Sequence, residues 1–325
     1  MAGERLIYAV DLGGTNLRAG LVDASGRVVA ERKTPPRGDR RPAVFLKDLA
    51  GLLVELAAEA GAKPDALALA VPGPMDTGRG WVSSPVNVPA LGEVPLADMA
   101  ADALGLPVTL VNDAAAFILG EYWRGAARGH PFCLGVTLGT GVGGGAVLDG
   151  RPLLGVKGNA LEIGHLTVEP GGRPCNCGRR GCLEAYASAS AVRRRAMGLA
   201  QEGRLPELLA AAGGDPVQIN SRLITEFARG GDRLCIDLLE EAGRYLGRGL
   251  ALAQTLLDVD LAVVGGGLAG AGELILAPAR ESYSLHRFRT PTELDVVTGE
   301  LGGDAGLIGA AALVCGAAAL PLNLF

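Results

Sequence analysis

Apolar and polar positions along this chain follow two periods, one of strands and one of helices. Residues 5–10 (RLIYAV) form a mostly apolar run of strand length, residues 11–18 (DLGGTNLR) a glycine-rich turn, and residues 19–22 a return strand, which predicts a hairpin. An amphipathic helix is predicted over residues 42–61 and a short buried strand over 66–71, which ends in Pro72-Gly73-Pro74. Another strand, 107–111, runs into Asn112-Asp113 and a helix over 114–122. Residues 186–257 read as helices broken at Gly203, Gly213-Gly214 and Gly230-Gly231, the longest spanning 232–257. The strand 261–264 then leads into Gly265-Gly266-Gly267 and a further helix.

The hairpin pattern recurs. With a constant offset of 126, IYAVDLGGTNLRAGLVD (7–23) lies over CLGVTLGTGVGGGAVLD (133–149), which places Asp11 on Thr137, Gly13 on Gly139 and Asp23 on Asp149. Strand, glycine loop and return strand recur in register, so two related α/β halves are predicted, each offering free backbone N–H groups at a loop. Asp11 at a strand end and Thr15 in the loop suit a phosphate cradle whose Mg2+ is held through water; a plain turn accounts for the same residues. Asn112 and Asp113 stand where open parallel sheets bind ligands, beyond a strand's carboxyl end, although Asp113 equally suits a helix N-cap. Gly73 could admit a close backbone approach or only stiffen a turn. Gly265–Gly267 allow a flat ring or ribose to approach, or tight helix–strand packing.

Composition narrows the class. The chain has 325 residues, 49% hydrophobic and 20% charged, enough for two domains with substantial cores. A net charge of -5 argues against a general nucleic-acid or membrane-surface binder. Residues 306–325 carry no charge, but the run is rich in Ala and Gly, contains Pro321 and lacks basic flanks; a small-residue core helix over 306–319 is predicted rather than a membrane span. The N-terminus enters a strand without a basic and then apolar leader, so a cytoplasmic location is expected.

Residues 162–184 hold the densest chemistry. Cys175, Cys177 and Cys182 fall within eight residues, with His165 ten positions upstream, which is the three-thiolate, one-imidazole set that tetrahedral Zn2+ takes. Three cysteines cannot pair among themselves, and nothing directs the chain to an oxidising compartment; ordinary buried thiols are the alternative to zinc. Four protein ligands leave no open coordination position, so the ion would be structural, and the other ring nitrogen of His165 could make an outer contact. Glu162 and Glu184 bracket the loop and could face a polyhydroxy ligand.

Taken together, DLGGTNLR (11–18), SPVN (84–87), VND (111–113), LGTGVGGG (138–145), ExGH (162–165), CxCGxxGCLE (175–184) and VVGGG (263–267) resemble the ROK family of bacterial sugar kinases and sugar-responsive repressors. The resemblance spans nearly the whole chain. It implies the actin-like, ribonuclease-H-like ATPase fold, with two α/β domains around a central cleft and a structural zinc knuckle. Residues 1–112 plus 306–325 would form one domain and 113–305 the other, the last helix returning to the first. It further implies Asp113 as general base and Gly73, Asn87, Asn112, Glu162, His165 and Glu184 as sugar ligands. Asp11, Gly13, Gly14 and Thr15 would make the first phosphate loop, Thr137, Gly139, Thr140 and Gly141 the second, and Gly265, Gly266 and Gly267 the adenosine site. His165, Cys175, Cys177 and Cys182 would hold Zn2+.

The expected activity is ATP-dependent, Mg2+-assisted phosphorylation of a hexose, with glucose first. N-acetylmannosamine, N-acetylglucosamine, fructose or a polyphosphate donor are the alternatives. A sugar-sensing repressor would need a helix-turn-helix ahead of the kinase-like body, and the first loop begins at residue 11. The resemblance also implies a homodimer or homotetramer. Two departures bear on the sugar: Leu161 stands where glucokinases of the family usually have glycine before the glutamate, and Asn87-Val88-Pro89-Ala90-Leu91 lacks their Gly-Trp.

Overall fold

A computed structural model describes residues 5–13, 17–34, 41–61, 63–83 and 91–316. The chain opens with β1 (Leu6–Leu12), β2 (Leu17–Asp23), β3 (Val28–Thr34), α1 (Pro42–Ala60) and β4 (Leu67–Val71). Three short strands come next, β5 (Met75–Asp76), β6 (Trp81–Ser83) and β7 (Glu93–Val94), then α2 (Leu96–Leu104), β8 (Val108–Asn112) and α3 (Asp113–Arg124). The second hairpin is β9 (Phe132–Leu138) and β10 (Val142–Leu148), continued by β11 (Arg151–Pro152). Helices dominate from there: α4 (Glu184–Ala187), α5 (Ala189–Gln201), α6 (Pro206–Ala211), α7 (Ser221–Arg229) and α8 (Arg233–Leu257). β12 (Leu261–Gly265), α9 (Glu273–His286), β13 (Asp295–Thr298) and α10 (Ala305–Cys315) complete the chain.

One five-stranded sheet has the order β3-β2-β1-β4-β8 and another the order β11-β10-β9-β12-β13. In the first, β1–β2 and β2–β3 are antiparallel while β1–β4 and β4–β8 are parallel. The fully buried strand β4 accounts for the unbroken apolar run LALAV. The small sheet β5-β6-β7 was not legible in the sequence, because strands of two or three residues show no period.

Helix ends obey local chemistry. Pro42 opens α1 at a position that needs no N–H, and Gly61 closes it in the left-handed conformation at φ 59°. Asp232 caps α8 through a bond from the Cys235 N–H, so the helix predicted from 232 begins one residue later. α10 ends at Gly316 (φ 69°), earlier than the predicted residue 319.

Contacts divide the chain into two compact units, residues 1–135, 145–161 and 299–325 in one and 136–144 and 162–298 in the other. The division drawn from the sequence differs in giving residues 113–135, 145–161 and 299–305 to the second half. α3 belongs with the first unit because it packs along α10 at very short range. A methyl group at Gly309 would overlap the Ala116 carbonyl oxygen, and one at Gly120 the Ala305 carbonyl oxygen. This close crossing holds the helix that begins with Asp113. Among the described residues no helix is long and apolar enough to cross a membrane.

Candidate functional site

The β8–α3 junction shows which of residues 112 and 113 caps the helix. Asn112 is the cap: its Oδ1 accepts from the N–H groups of Ala114 (2.9 Å) and Ala115 (3.2 Å). The capping role considered for Asp113 therefore falls to its neighbour. Asp113 is the first helical residue, half-buried, and its Oδ1 accepts the Ala114 N–H at 2.9 Å. A carboxylate in the first helical turn is held by the partial positive charge of the helix end.

In the first hairpin the strands run further than predicted. Asp11 is a strand residue paired with Arg18, not the start of a turn; Leu12 ends β1 and Leu17 opens β2. Gly14 and Thr15 lie outside the described residues, as does Asn87. Burial raises the Asp11 carboxyl above the ordinary range, and the Arg18 guanidinium partly opposes this. Gly306 in the first turn of α10 lies against it, where a methyl group would stand 2.8 Å from Oδ2. Arg18 in turn is tied to Asp304 at 2.6 Å, to Glu31 and to the Gly303 carbonyl.

The second loop, Gly139–Gly141, is fully described. Thr137 is half-buried on β9 and Thr140 lies in the turn, which the Gly139 N–H closes on the Gly141 oxygen at 3.0 Å. Gly265 ends β12. Gly266 has φ 85° and packs so closely on β9 that a methyl group would lie 2.6 Å from the Leu138 oxygen, so packing accounts for this glycine. Gly267 has open space beside it. Gly73 has φ 91°, which a turn requires of it. Nearby, Asn159 bonds Met75 twice, accepting from its N–H and donating to its carbonyl, both at 2.7 Å; nothing in the sequence singled it out.

The knuckle assembles as its spacing suggests. One ligand atom from each of His165, Cys175, Cys177 and Cys182 lies within 4.8 Å of the others. The Cys177 and Cys182 sulfurs are 3.7 Å apart, and Cys175 Sγ is 3.8 Å from His165 Nδ1. A tetrahedral ion with Zn–S of about 2.3 Å sets sulfur–sulfur edges of roughly 3.8 Å, so the four groups fit zinc. Burial pushes the Cys175 thiol up to about 12. Burial raises the Cys177 thiol more than any other single influence, but the Arg179 N–H and guanidinium and the two neighbouring thiols together draw it down to about 6. Glu162 keeps an exposed face, yet the surrounding protein raises its pKa; the His165 ring lowers it and Glu184 raises it further. Glu184 Oε2 accepts the Val142 N–H at 3.1 Å.

A clamp that the sequence reading missed fastens the knuckle to α8. Tyr186 and Tyr245 stack at 3.8 Å, with Arg173 over the first ring at 4.6 Å and Arg248 over the second at 4.8 Å. Arg173 pairs with Glu241 at 2.7 Å and Arg248 with Glu169 at 2.6 Å. The signal available was Glu241, Tyr245 and Arg248 at helical spacing on one face of α8, but their partners are remote in sequence.

Known proteins resemble this chain over nearly its whole length. A glucokinase of Thermotoga maritima is 36% identical over 314 residues, covering 95% of this chain and 96% of its own length. An N-acetylmannosamine kinase of Citrobacter koseri is 32% identical over 308 residues, 95% of this chain and 98% of that one. The crystal structure of a ROK family glucokinase from Streptomyces griseus with glucose and AMPPNP superposes with a TM-score of 0.85 at 36% identity, covering 95% of this chain and 98% of that one. The ROK family profile itself matches residues 7–317. With the profile matched almost end to end, this chain belongs to the ROK family.

Proposed function

We propose that this protein is an ATP-dependent glucokinase that transfers the γ-phosphoryl group to the 6-hydroxyl of glucose. The observation that carries this reading is near-full-length similarity, 36% identity and a TM-score of 0.85, to an enzyme crystallised with glucose and a non-hydrolysable ATP analogue. A sugar hydroxyl is a weak nucleophile at neutral pH, so a carboxylate must take its proton as the oxygen meets phosphorus in line. Asp113 is assigned that role: its helix-end position is fixed by the Asn112 cap. As the oxygen–phosphorus bond forms, the bond to the β–γ bridging oxygen breaks and ADP leaves.

Asn87, Asn112, Glu162, His165 and Glu184, with the Gly73 turn, are assigned to the sugar hydroxyls. The cap uses the Asn112 oxygen, so what that side chain can offer a hydroxyl is its amide N–H groups. His165 turns Nδ1 toward Cys175, which leaves Nε2 for the sugar. Asp11, Gly13, Gly14 and Thr15 are assigned to the donor phosphates from one hairpin and Thr137, Gly139, Thr140 and Gly141 from the other, with Gly265–Gly267 at the adenosine. Asp11 would orient the Mg2+ that neutralises phosphate charge. Zn2+ on His165, Cys175, Cys177 and Cys182 would be structural, holding Glu162 and Glu184 in place. A homodimer or homotetramer is inferred with the family.

A coupled assay of glucose, N-acetylmannosamine, N-acetylglucosamine and fructose against ATP and polyphosphate, with and without Mg2+, tests the reading. Glucose with ATP is expected to give the highest kcat/KM; preference for an N-acetylated sugar would reassign the substrate, and no turnover of any sugar would end the kinase reading. Asp113→Asn keeps shape and loses basicity, so kcat should fall about 10³-fold with glucose affinity largely kept. Near-normal turnover by that variant would remove Asp113 from the chemistry.

A further inference from the structure

Three segments of the knuckle region converge on the second glycine loop, all within one compact unit. Glu184, the first residue of α4, accepts the Val142 N–H through Oε2 at 3.1 Å, while its Oε1 lies 3.5 Å from Cys175 Sγ. Gly141 has no room for a side chain because the Glu184 carboxylate occupies that space. Gly164, next to the ligand His165, is likewise filled by backbone: a methyl group there would overlap the Val142 carbonyl oxygen. In addition, the Ala189 N–H of α5 donates to the Gly139 oxygen at 2.8 Å. Thr140, Cys175 and Glu184 line one small pocket together with Ser190 and Arg194.

A loop of glycines loses much conformational freedom when ordered, so one that presents N–H groups to phosphate needs an external brace. Here, beside the Ala189 bond to Gly139, the side-chain brace is a carboxylate reaching from the metal-ligand loop to the first residue of β10. We propose that Glu184 is a positioning residue for the donor-phosphate loop, transmitting the order of the metal-held knuckle to residues 139–142 in addition to its assigned sugar contact. The proposal deepens the kinase reading and rests on it for the identity of the donor; the brace itself does not depend on catalysis.

The test measures AMPPNP–Mg2+ binding by calorimetry in the absence of sugar, together with hydrogen exchange across residues 139–144. A residue that only touches sugar would leave both unchanged when truncated. In zinc-replete protein, Glu184→Ala is expected to weaken AMPPNP about tenfold, the scale of one charge-assisted hydrogen bond, and to speed exchange in the loop. Glu184→Gln, whose amide oxygen still reaches the Val142 N–H, should recover most of both. Chelation of wild-type protein should speed exchange in the same segment, and chelation of Glu184→Ala should add little more. Unchanged sugar-free affinity and exchange in zinc-replete Glu184→Ala would overturn the proposal.

Should Glu184→Ala not fold or lose zinc, Glu184→Asp, shorter by one methylene, decides against Glu184→Gln. Loss in Asp with recovery in Gln supports a brace that depends on reach, and the opposite result overturns it. A wild-type protein that neither binds AMPPNP nor phosphorylates sugar would instead refute the kinase reading, while loop exchange would still report on the brace.

Discussion

The two hairpins β1–β2 and β9–β10 share a first strand almost position for position. In each, the first and sixth residues are half-buried and the other five are buried, so Asp11 and Thr137 occupy the same place. Their second strands match only if β10 is moved one residue, because four residues separate β1 from β2 and three separate β9 from β10. The constant offset of 126 therefore fails after the loop: Gly20 corresponds to Gly145, and Asp23 to Leu148 rather than Asp149. One hairpin carries a charge at the sixth position, and the other carries none but has its loop braced by Glu184 and Ala189. Among the described residues, then, the same strand position holds a buried carboxylate in one hairpin and an uncharged threonine in the other, and the second loop is held by bonds from Glu184 and Ala189.

The largest expected effect tests that division. Asp11→Asn should lower kcat/KM for ATP about 100-fold at saturating glucose, the scale of a lost electrostatic contact to a phosphoryl group, whereas Thr137→Ala should cost less than about tenfold. Equal losses would erase the distinction. The charge at Asp11 also has a cost in stability. Burial raises its folded-state pKa, so folding is penalised once the group ionises: stability is lost as pH rises from the ordinary carboxylate value through the folded value. Asp11→Asn should accordingly raise the Tm of ligand-free protein at neutral pH, with the gap closing below about pH 4, where the native side chain is protonated in both states. A gap that widened on acidification would contradict the buried-charge account.

Equivalent glycines give the next test. A methyl group at Gly145 would stand 2.8 Å from both the Ala114 oxygen and the Ala115 Cα, which are backbone atoms of the helix that begins at Asp113. At Gly20 it would meet the Ala30 oxygen and the Leu307 Cδ1 at 3.2 Å, and Leu307 is a side chain that can turn. Gly145→Ala should therefore cost about 2–3 kcal/mol by denaturant unfolding and lower kcat, and Gly20→Ala about 1 kcal/mol or less. Similar costs would mean that the backbone against Gly145 yields as readily as the Leu307 side chain against Gly20.

Much of this was readable from the chain because it is local. The repeat, the α8 helix broken off by Gly230-Gly231, the α1 helix with its closing glycine and the metal-ligand spacing each depend on residues close in sequence. The misplaced start of the first turn has a simple cause: DLGG reads as turn chemistry, but pairing with Arg18 keeps Asp11 in the ladder. Asn112 and Asp113 are both good caps, and only the helix start distinguishes them. Beyond reach were contacts between distant segments: the Arg173–Tyr186–Tyr245–Arg248 stack and the buried Glu121, which accepts from the N–H groups of Ala126, Glu300 and Leu301. No period or spacing marks such partners until the fold brings them together.

The smallest expected effect lies at the exits of the two hairpins. Asp23 organises a turn into the seven-residue β3, accepting from Ser25 and Arg27, whereas Asp149 and Gly150, at φ 48° and 77°, make a two-residue turn into a β11 of only two residues. The shortened strand releases the chain toward Glu162, and on the way Leu161 adopts φ 67°. A branched side chain in that conformation costs about 1–2 kcal/mol, while glycine would add back roughly 0.5–1 kcal/mol of unfolded-state entropy. Leu161→Gly should thus gain up to about 1 kcal/mol, read as a Tm higher by about 2 °C in a chain of this size. A destabilised variant would mean that the packing of the half-buried Leu161 side chain outweighs its backbone strain. The second hairpin would then depend on side-chain packing at its exit as well as on the support of its loop.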